Sequence, residues 1–236
     1  MVSRPLQLTI IIALLSSSIT GCSPKHHSAD PYGAFNRRNF QFNQSIKAPF
    51  QAKQCQPAEP KKPNIGTLAI RNFFGNLGEF NNMANDLLQL DLKAFITHFG
   101  RLAINTTVGI GGLFDAASDL GLEDKENDFS LTIAYYQHKL QDNSTAHIAN
   151  QTEYFVLPFK GSITSRELVA APVNYVLNPF FFIDIGPIKY ARIPLKIISS
   201  EDTPSPCASD GDAYKIERQH YLNQRSRIIT EHLEAR

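Results

Sequence analysis

The sequence predicts an all-α protein, and three observations carry that expectation. Apolar residues between Ile65 and Ala117 recur at helical spacing. The apolar stretch from Leu168 to Ile198 is cut by Pro172, Pro179, Pro187 and Pro194, so no straight spanning helix survives in it. Tyr214, Arg218, Tyr221 and Arg225 share one face of a C-terminal helix, expected over 213–230. Hydrophobic residues make up 42% of the chain, enough for a core, and the length suits one domain with tails. A net charge of +1 with 19% charged residues leaves no basic excess for nucleic acid or for a membrane surface held by charge alone.

The N-terminus reads as a lipoprotein signal over 1–21. Arg4 supplies the positive region, Leu6 to Leu15 the apolar run, and Ile19-Thr20-Gly21-Cys22 the small-residue cleavage site followed by cysteine. About ten apolar residues are too few to span a bilayer. The mature chain then starts at Cys22, whose acyl chains anchor it at about 0.8 kcal/mol per buried CH₂. Residues 22–34 form the lipidated tether and a turn, with His26 and His27 solvated in the tether. Cys55 and Cys207 remain; in an oxidising compartment they can form a disulfide or stay as two thiols.

A single helical domain follows over 35–236. Asp30-Pro31-Tyr32-Gly33 signals a helix start, and Phe35, Phe42 and Ile46 fall on one side of the helix, with Phe40 pointing elsewhere. A Pro-rich loop covers 47–64. Ile65, Leu68, Ala69 and Phe73 form one apolar face of the next segment; Phe80, Met83, Leu87 and Leu90 form another. Asp91 caps a helix bearing Leu92, Phe95, Ile96, Phe99, Leu102 and Ala103. Gly109, Gly111 and Gly112 then end the helix or permit a close backbone bend. Leu113 to Leu120 reads as a short helix stopped at Gly121, and Glu123, Asp124, Glu126 and Asp128 as a solvated loop. The polar stretch 128–153 has no clear period, and Tyr154 to Phe159 is too short to separate strand from buried helix. Ser165 can cap a helix from Arg166. The segment 168–198, centred on Phe180, Phe181 and Phe182, reads as short core helices or as short helices against lipid; the anchor favours lipid. Residues 201–212 form a linker.

The chain carries no signature of catalysis. It lacks Gly-x-Ser-x-Gly, Ser-x-x-Lys and His-Glu-x-x-His, a Walker lysine and zinc-site spacing, so no catalytic residue, metal or cofactor is assigned beyond the lipid on Cys22. His98, among Phe95, Phe99 and Leu102, reads as a satisfied or interfacial histidine.

Together these residues resemble the MlaA/VacJ family of outer-membrane lipoproteins. The resemblance begins with Asp30-Pro31-Tyr32, Phe35-Asn36-Arg37, Phe40 and Phe42-Asn43. It is strongest from Asn72-Phe73 through Asn76-Leu77 to Leu88-Gln89. It continues through His98-Phe99, Arg101, Asn105-Thr106, Gly109, Gly111-Gly112 and Asp115, then Thr132, Tyr136, Leu157-Pro158-Phe159, Gly161-Ser162 and Arg166. It ends with Asp212, Tyr214, Arg218, Tyr221 and Arg225. It implies a ring-like arrangement of short amphipathic helices lying in the membrane plane around an amphipathic channel. It further implies a periplasm-facing outer-membrane lipoprotein that removes phospholipid from the outer leaflet. The implied partners are a trimeric porin, a soluble periplasmic MlaC-like carrier and, indirectly, an inner-membrane ABC transport complex. A non-transporting adaptor is the alternative. Under this resemblance Gly109, Gly111, Gly112 and Asp115 are candidate passage residues. Asn36, Arg37, Phe40, Phe42 and Asn43 are candidates for closing the ring. Capping and core packing account for the same positions. The sequence departs from the family at Phe80, at Glu167, in the Pro-rich stretch and in a polar segment over 137–150.

Overall fold

The computed structural model describes residues 30–48, 65–141, 144–178 and 212–236. The signal, Cys22, the tether histidines, Cys55, Phe180 to Phe182 and Cys207 lie outside the described residues. The chain builds α1 (Gly33–Lys47), α2 (Ile65–Leu88), α3 (Leu92–Thr107), α4 (Ala116–Asp119), α5 (Phe129–Gln141) and α6 (Thr145–Asn150). Then come β1 (Tyr154–Leu157), β2 (Gly161–Thr164), α7 (Ser165–Leu177) and α8 (Ala213–Glu234). The architecture is mainly helical, as the sequence predicts, with one small two-stranded sheet. The Tyr154–Leu157 run is a strand, paired antiparallel with β2 in the register Tyr154↔Thr164 to Leu157↔Gly161.

A two-stranded hairpin leaves strand edges with unsatisfied backbone groups. On the β1 edge, α1 supplies the missing partners from asparagine side chains at i, i+3 and i+7. Asn36 Nδ2 donates to the Tyr154 carbonyl at 3.0 Å, and its Oδ1 accepts from the Val156 N–H at 2.9 Å. Asn39 Nδ2 donates to the Val156 carbonyl at 2.9 Å. Asn43 bonds the Leu157 carbonyl at 2.9 Å and the Phe159 N–H at 2.8 Å. A carboxamide offers the same donor–acceptor pair as a peptide group, so α1 acts as a third strand in chemistry though not in shape. The buried side of α1 is therefore Asn36, Phe40 and Asn43; Phe35 and Phe42, the expected apolar side, face outward.

Two small cores organise the rest. Phe40, Tyr154, Val156 and Tyr214 join α1, β1 and the start of α8. Leu131, Ala134, Ile148, Ala149, Ile229 and Leu233 join α5, α6 and the end of α8. The polar departure at 137–150 thus contains the end of α5 and a short helix that buries Ile148. Asp128 is not part of a solvated loop: it caps α5 through the Leu131 N–H and pairs with the buried Arg225 at 3.1 Å. The start of α7 also differs from expectation. Thr164, one residue earlier than Ser165, is the cap, and Glu167 reaches back to complete a capping box. Glu167 also accepts from Tyr221 Oη at 2.6 Å, fixing α7 to α8. The helix runs through Pro172, which removes one backbone bond without ending it.

Losing the Asn36 carboxamide leaves two backbone groups of β1 without partners. Asn36→Ala is expected to lower unfolding stability by about 2–3 kcal/mol. The less buried single bond of Asn39 is worth about 1 kcal/mol. Urea melts followed by circular dichroism check the order of the two.

Candidate functional site

Helices α2 and α3 pack as an antiparallel hairpin whose polarity is reversed from that of an ordinary surface pair. On α2 the buried residues are Asn76, Glu79, Met83, Asn85 and Asp86; on α3 they are His98, Arg101 and Asn105. Spacings of three and four place Asn76, Glu79, Met83 and Asp86 on one face of α2, with Asn85 at its edge, and His98, Arg101 and Asn105 on one face of α3. Phe80, Leu87, Leu88, Leu92, Ile96 and Phe99 are exposed instead. A group of large exposed apolar residues and a buried charged set are each informative alone. Here they are two sides of the same pair of helices.

The interior is a connected ionic network. Glu79 and Arg101 are each only 2% exposed. Arg101 Nε donates to Glu79 Oε1 at 2.7 Å, and Asn82 donates to the other carboxylate oxygen at 3.0 Å. The remaining guanidinium nitrogens reach Leu122 O at 2.6 Å, Ser118 Oγ at 3.0 Å and Asp115 Oδ1 at 3.2 Å. Burial pushes the Glu79 carboxyl up, opposed by its bonds from Arg101 and Asn82. Desolvation works against the Asp115 carboxylate, yet Ser118, Asn105 and Arg101 hold it below the usual range.

One turn further along, His98 Nδ1 lies 2.5 Å from Asp86 Oδ2, and Nε2 lies 2.8 Å from the Lys125 carbonyl. A carboxylate and a carbonyl only accept, so both ring nitrogens donate and the ring is an imidazolium. Burial lowers its proton affinity, but Asp86 and Glu79 more than compensate and raise it. With both nitrogens engaged, His98 has no free base to offer a substrate. Asp86 also accepts from Asn127 at 2.7 Å, and Gln89 bridges Asn127 and Thr132. His232 of α8 bonds Gln89 at 3.0 Å; burial and then Arg236 push it down to about 4.

The glycine segment after α3 is a tight turn pressed against α2. A Cβ on Gly109 would lie 2.2 Å from the Phe114 carbonyl oxygen. Gly112 has φ +89°, and a Cβ there would lie 2.7 Å from the Asn76 side chain. Asn72 donates to Leu113 O at 3.2 Å, and Asn76 to Thr106 Oγ1 at 3.1 Å, which fixes the turn. Asp115 joins it to the network by capping α4 and accepting from Asn105 at 3.0 Å. The structure therefore sets Gly109 against Asn105 and Phe114, Gly112 against Asn76 and Asp115 onto Arg101, while a Cβ on Gly111 (φ +68°) would meet nothing within 4 Å.

Of the α1 residues singled out from sequence, Asn36 and Asn43 hold β1. Phe40 packs edge-on to Tyr214 at 5.8 Å, Arg37 stacks over Tyr214 and pairs with Asp212, and Phe42 meets Phe159 at 5.2 Å. Sequence reasoning missed Glu79 and Asp86. Their signal was the 76-79-83-86 spacing, a helical stripe of mostly polar residues inside an apolar segment. Among the described residues no group of three or more His, Cys, Asp or Glu is placed to hold a metal ion, and no helix is long and apolar enough to cross a membrane.

Comparison with known proteins places this architecture. A family model described as MlaA lipoprotein matches residues 28–227. A Rickettsia bellii protein called "Uncharacterized protein" is 32% identical over 169 residues, covering 71% of this chain and 60% of its own length. The Haemophilus influenzae protein named "Intermembrane phospholipid transport system lipoprotein MlaA" is 30% identical over 188 residues, 73% of this chain and 69% of its own. A protein of the same name from Escherichia coli K12 is 28% identical over 164 residues, 66% of this chain and 61% of its own. A solved structure described as "Structural basis for maintenance of bacterial outer membrane lipid asymmetry" shares the fold. Its TM-score is 0.61 at 23% identity, over 86% of this chain and 100% of that one. The chain spans 60% to 63% of the length of the rickettsial relatives from R. bellii and R. typhi.

The two histidines give stability a maximum in pH. His98, raised in the fold, contributes stability that is fully present below pH 6.5 and is lost as pH rises through its folded value. His232, depressed, contributes stability present above pH 6.5 and lost as pH falls from there toward about 4. Urea midpoints in detergent, measured from acid to alkaline pH, are expected to peak near the ordinary histidine value. His98→Gln should flatten only the alkaline limb and His232→Gln only the acid limb.

Proposed function

Because the chain belongs to the MlaA lipoprotein family, we propose that it acts in intermembrane phospholipid transport. In this reading it removes phospholipid that has strayed into the outer leaflet of the outer membrane and so maintains lipid asymmetry. The observation that carries this is the reversed α2–α3 hairpin. An apolar exterior of Leu87, Leu88, Leu92, Ile96 and Phe99 suits contact with hydrocarbon, and the buried Glu79–Arg101 pair, with the half-buried Asp115 beside it, supplies fixed charges within the fold. A headgroup cannot cross hydrocarbon bare, since burying an unpaired ion costs several kcal/mol. A path beside such an interior lowers that cost, while the acyl chains remain against apolar helix surface.

In this proposal the helices lie in the inner leaflet around an amphipathic channel, anchored through Cys22. The turn of Gly109, Gly111, Gly112 and Asp115 forms part of the passage wall, and α1 closes the ring onto β1 and α8 through Asn36, Arg37, Phe40, Phe42 and Asn43. A trimeric porin holds the protein in the membrane. A soluble MlaC-like carrier takes the lipid toward an inner-membrane ABC transport complex. No reaction is catalysed; the lipid leaves as it entered. Cys55 and Cys207 can brace the ring if they pair.

Outer-leaflet phospholipid on intact cells, measured with a membrane-impermeant phospholipase, tests the proposal. Deletion of the gene is expected to raise it, wild type to restore it, and Cys22→Ala to fail. An unchanged level in a strain with no second homologue refutes transport and leaves an adaptor.

A further inference from the structure

Among the described residues, the non-glycine residues with positive φ are Leu90 (+60°), Ile110 (+52°) and Phe159 (+63°). Each is large and apolar, and each is exposed, at 80%, 64% and 68%. L-residues avoid this backbone region, and a β-branched one such as Ile110 is an outlier there. Each turn thus combines an unfavourable backbone with an apolar side chain held out in solvent. Glycine or asparagine would relieve both burdens. Transfer of the side chain out of water offsets them, and that is the reason to keep a large apolar residue at such a position.

Leu90 and Ile110 sit at the two ends of α3, on the hairpin already read as facing lipid. Phe159 does not. It tips the β1–β2 hairpin, meets Phe42 of α1 edge-to-face at 5.2 Å, and shares a small crevice with Asn43, Ile46, Lys47 and Lys160. Two exposed aromatics beside two lysines have the chemistry of a bilayer interface, with rings at headgroup depth and ammonium groups toward anionic phosphate. Helix α1 itself carries Arg38 and Lys47, besides Arg37 engaged by Asp212, and no acidic residue. A chain acylated at Cys22 has seven residues before Asp30, a reach of at most about 28 Å, which keeps α1 close to the surface holding the acyl chains.

We propose that the Phe42–Phe159 corner, flanked by Lys47 and Lys160, is a second bilayer-contact surface, separate from the α2–α3 hairpin and specific for an anionic phospholipid surface. This rests on the lipid-facing reading of that hairpin. Helix α8 begins beside the β1–β2 hairpin at Tyr214, and just past its other end Arg236 ion-pairs with Asp86 and Asp91 near Leu90. Its 22 residues span about 33 Å. Lipid then meets the molecule at both ends of α8 and sets that helix roughly parallel to the bilayer.

The chain contains no tryptophan, so one introduced tryptophan reports alone. Full-length Leu90→Trp, Ile110→Trp and Phe159→Trp, with His220→Trp on the exposed side of α8 as control, are mixed with vesicles of phosphatidylethanolamine and phosphatidylglycerol bearing brominated acyl chains. Emission at 90, 110 and 159 is expected to shift to the blue and to be quenched about twofold or more, with 220 unaffected. Lys47→Ala with Lys160→Ala should reduce quenching at 159 and leave 90 unchanged. Phe42→Trp repeats the readout if the 159 variant misfolds by circular dichroism. Quenching at 90 and 110 but at neither 159 nor 42 overturns the second surface and spares the hairpin reading. Quenching at none of them removes the hairpin reading as well. A blue shift at 159 that grows with protein concentration without vesicles assigns the corner to a second copy and overturns the proposal.

Discussion

The buried Glu79–Arg101 ion pair is the constraint on which the rest of the structure depends. Two charges taken out of water cost several kcal/mol each unless geometry and further hydrogen bonds repay them. Here every remaining guanidinium direction is filled, by Ser118, the Leu122 carbonyl and Asp115. Those three partners lie after α3, so satisfying Arg101 dictates where the glycine turn, α4 and the following loop must run. Removing either Glu79 or Arg101 would strand the other, which is why the pair orders the region more than it stabilises it.

The same pair explains the reversed hairpin. Helices held together by ionic contacts do not need their apolar sides for one another, and those sides are left outward. The hairpin is tied to the chain's end by Arg236, which reaches Asp86 and Asp91, and by His232 on Gln89. At the other end of α8, Tyr214 bonds Asp30 and packs on Phe40, so the first and last described helices meet. Helix α8 therefore couples the ionic interior to the asparagine-clamped strand, through Arg225 on Asp128 and Tyr221 on Glu167.

Helical periodicity made α2, α3 and α8 legible, and Asp91 was readable as a cap because it precedes an apolar run and accepts from the Ala94 N–H at 2.9 Å. The direction each helix faces was not. Periodicity finds an apolar stripe and assigns it inward by default, yet Phe35, Phe42, Ile96 and Phe99 face outward because polar side chains with many partners fill the inside. The strand at Tyr154 was hidden for a related reason. Its stability comes from Asn36 and Asn43, more than a hundred residues earlier, and four residues carry too little pattern of their own. Asp128 read as solvated because its partner Arg225 lies nearly a hundred residues away. The glycines were visible as a bend; the approach of Gly112 to Asn76 was not, since only the fold brings α2 beside it.

The central claim is that the apolar side of α2–α3 faces lipid while its charges stay inside. Flotation of protein carrying Cys22→Ala, with liposomes of phosphatidylethanolamine and phosphatidylglycerol, tests it without the acyl anchor. The account predicts that this chain floats with the liposomes, and that adding Ile96→Asp and Phe99→Asp leaves it in the dense fraction with its helical content intact. If the unacylated chain stays in the dense fraction before any charge is added, the hairpin does not face lipid and the account is contradicted.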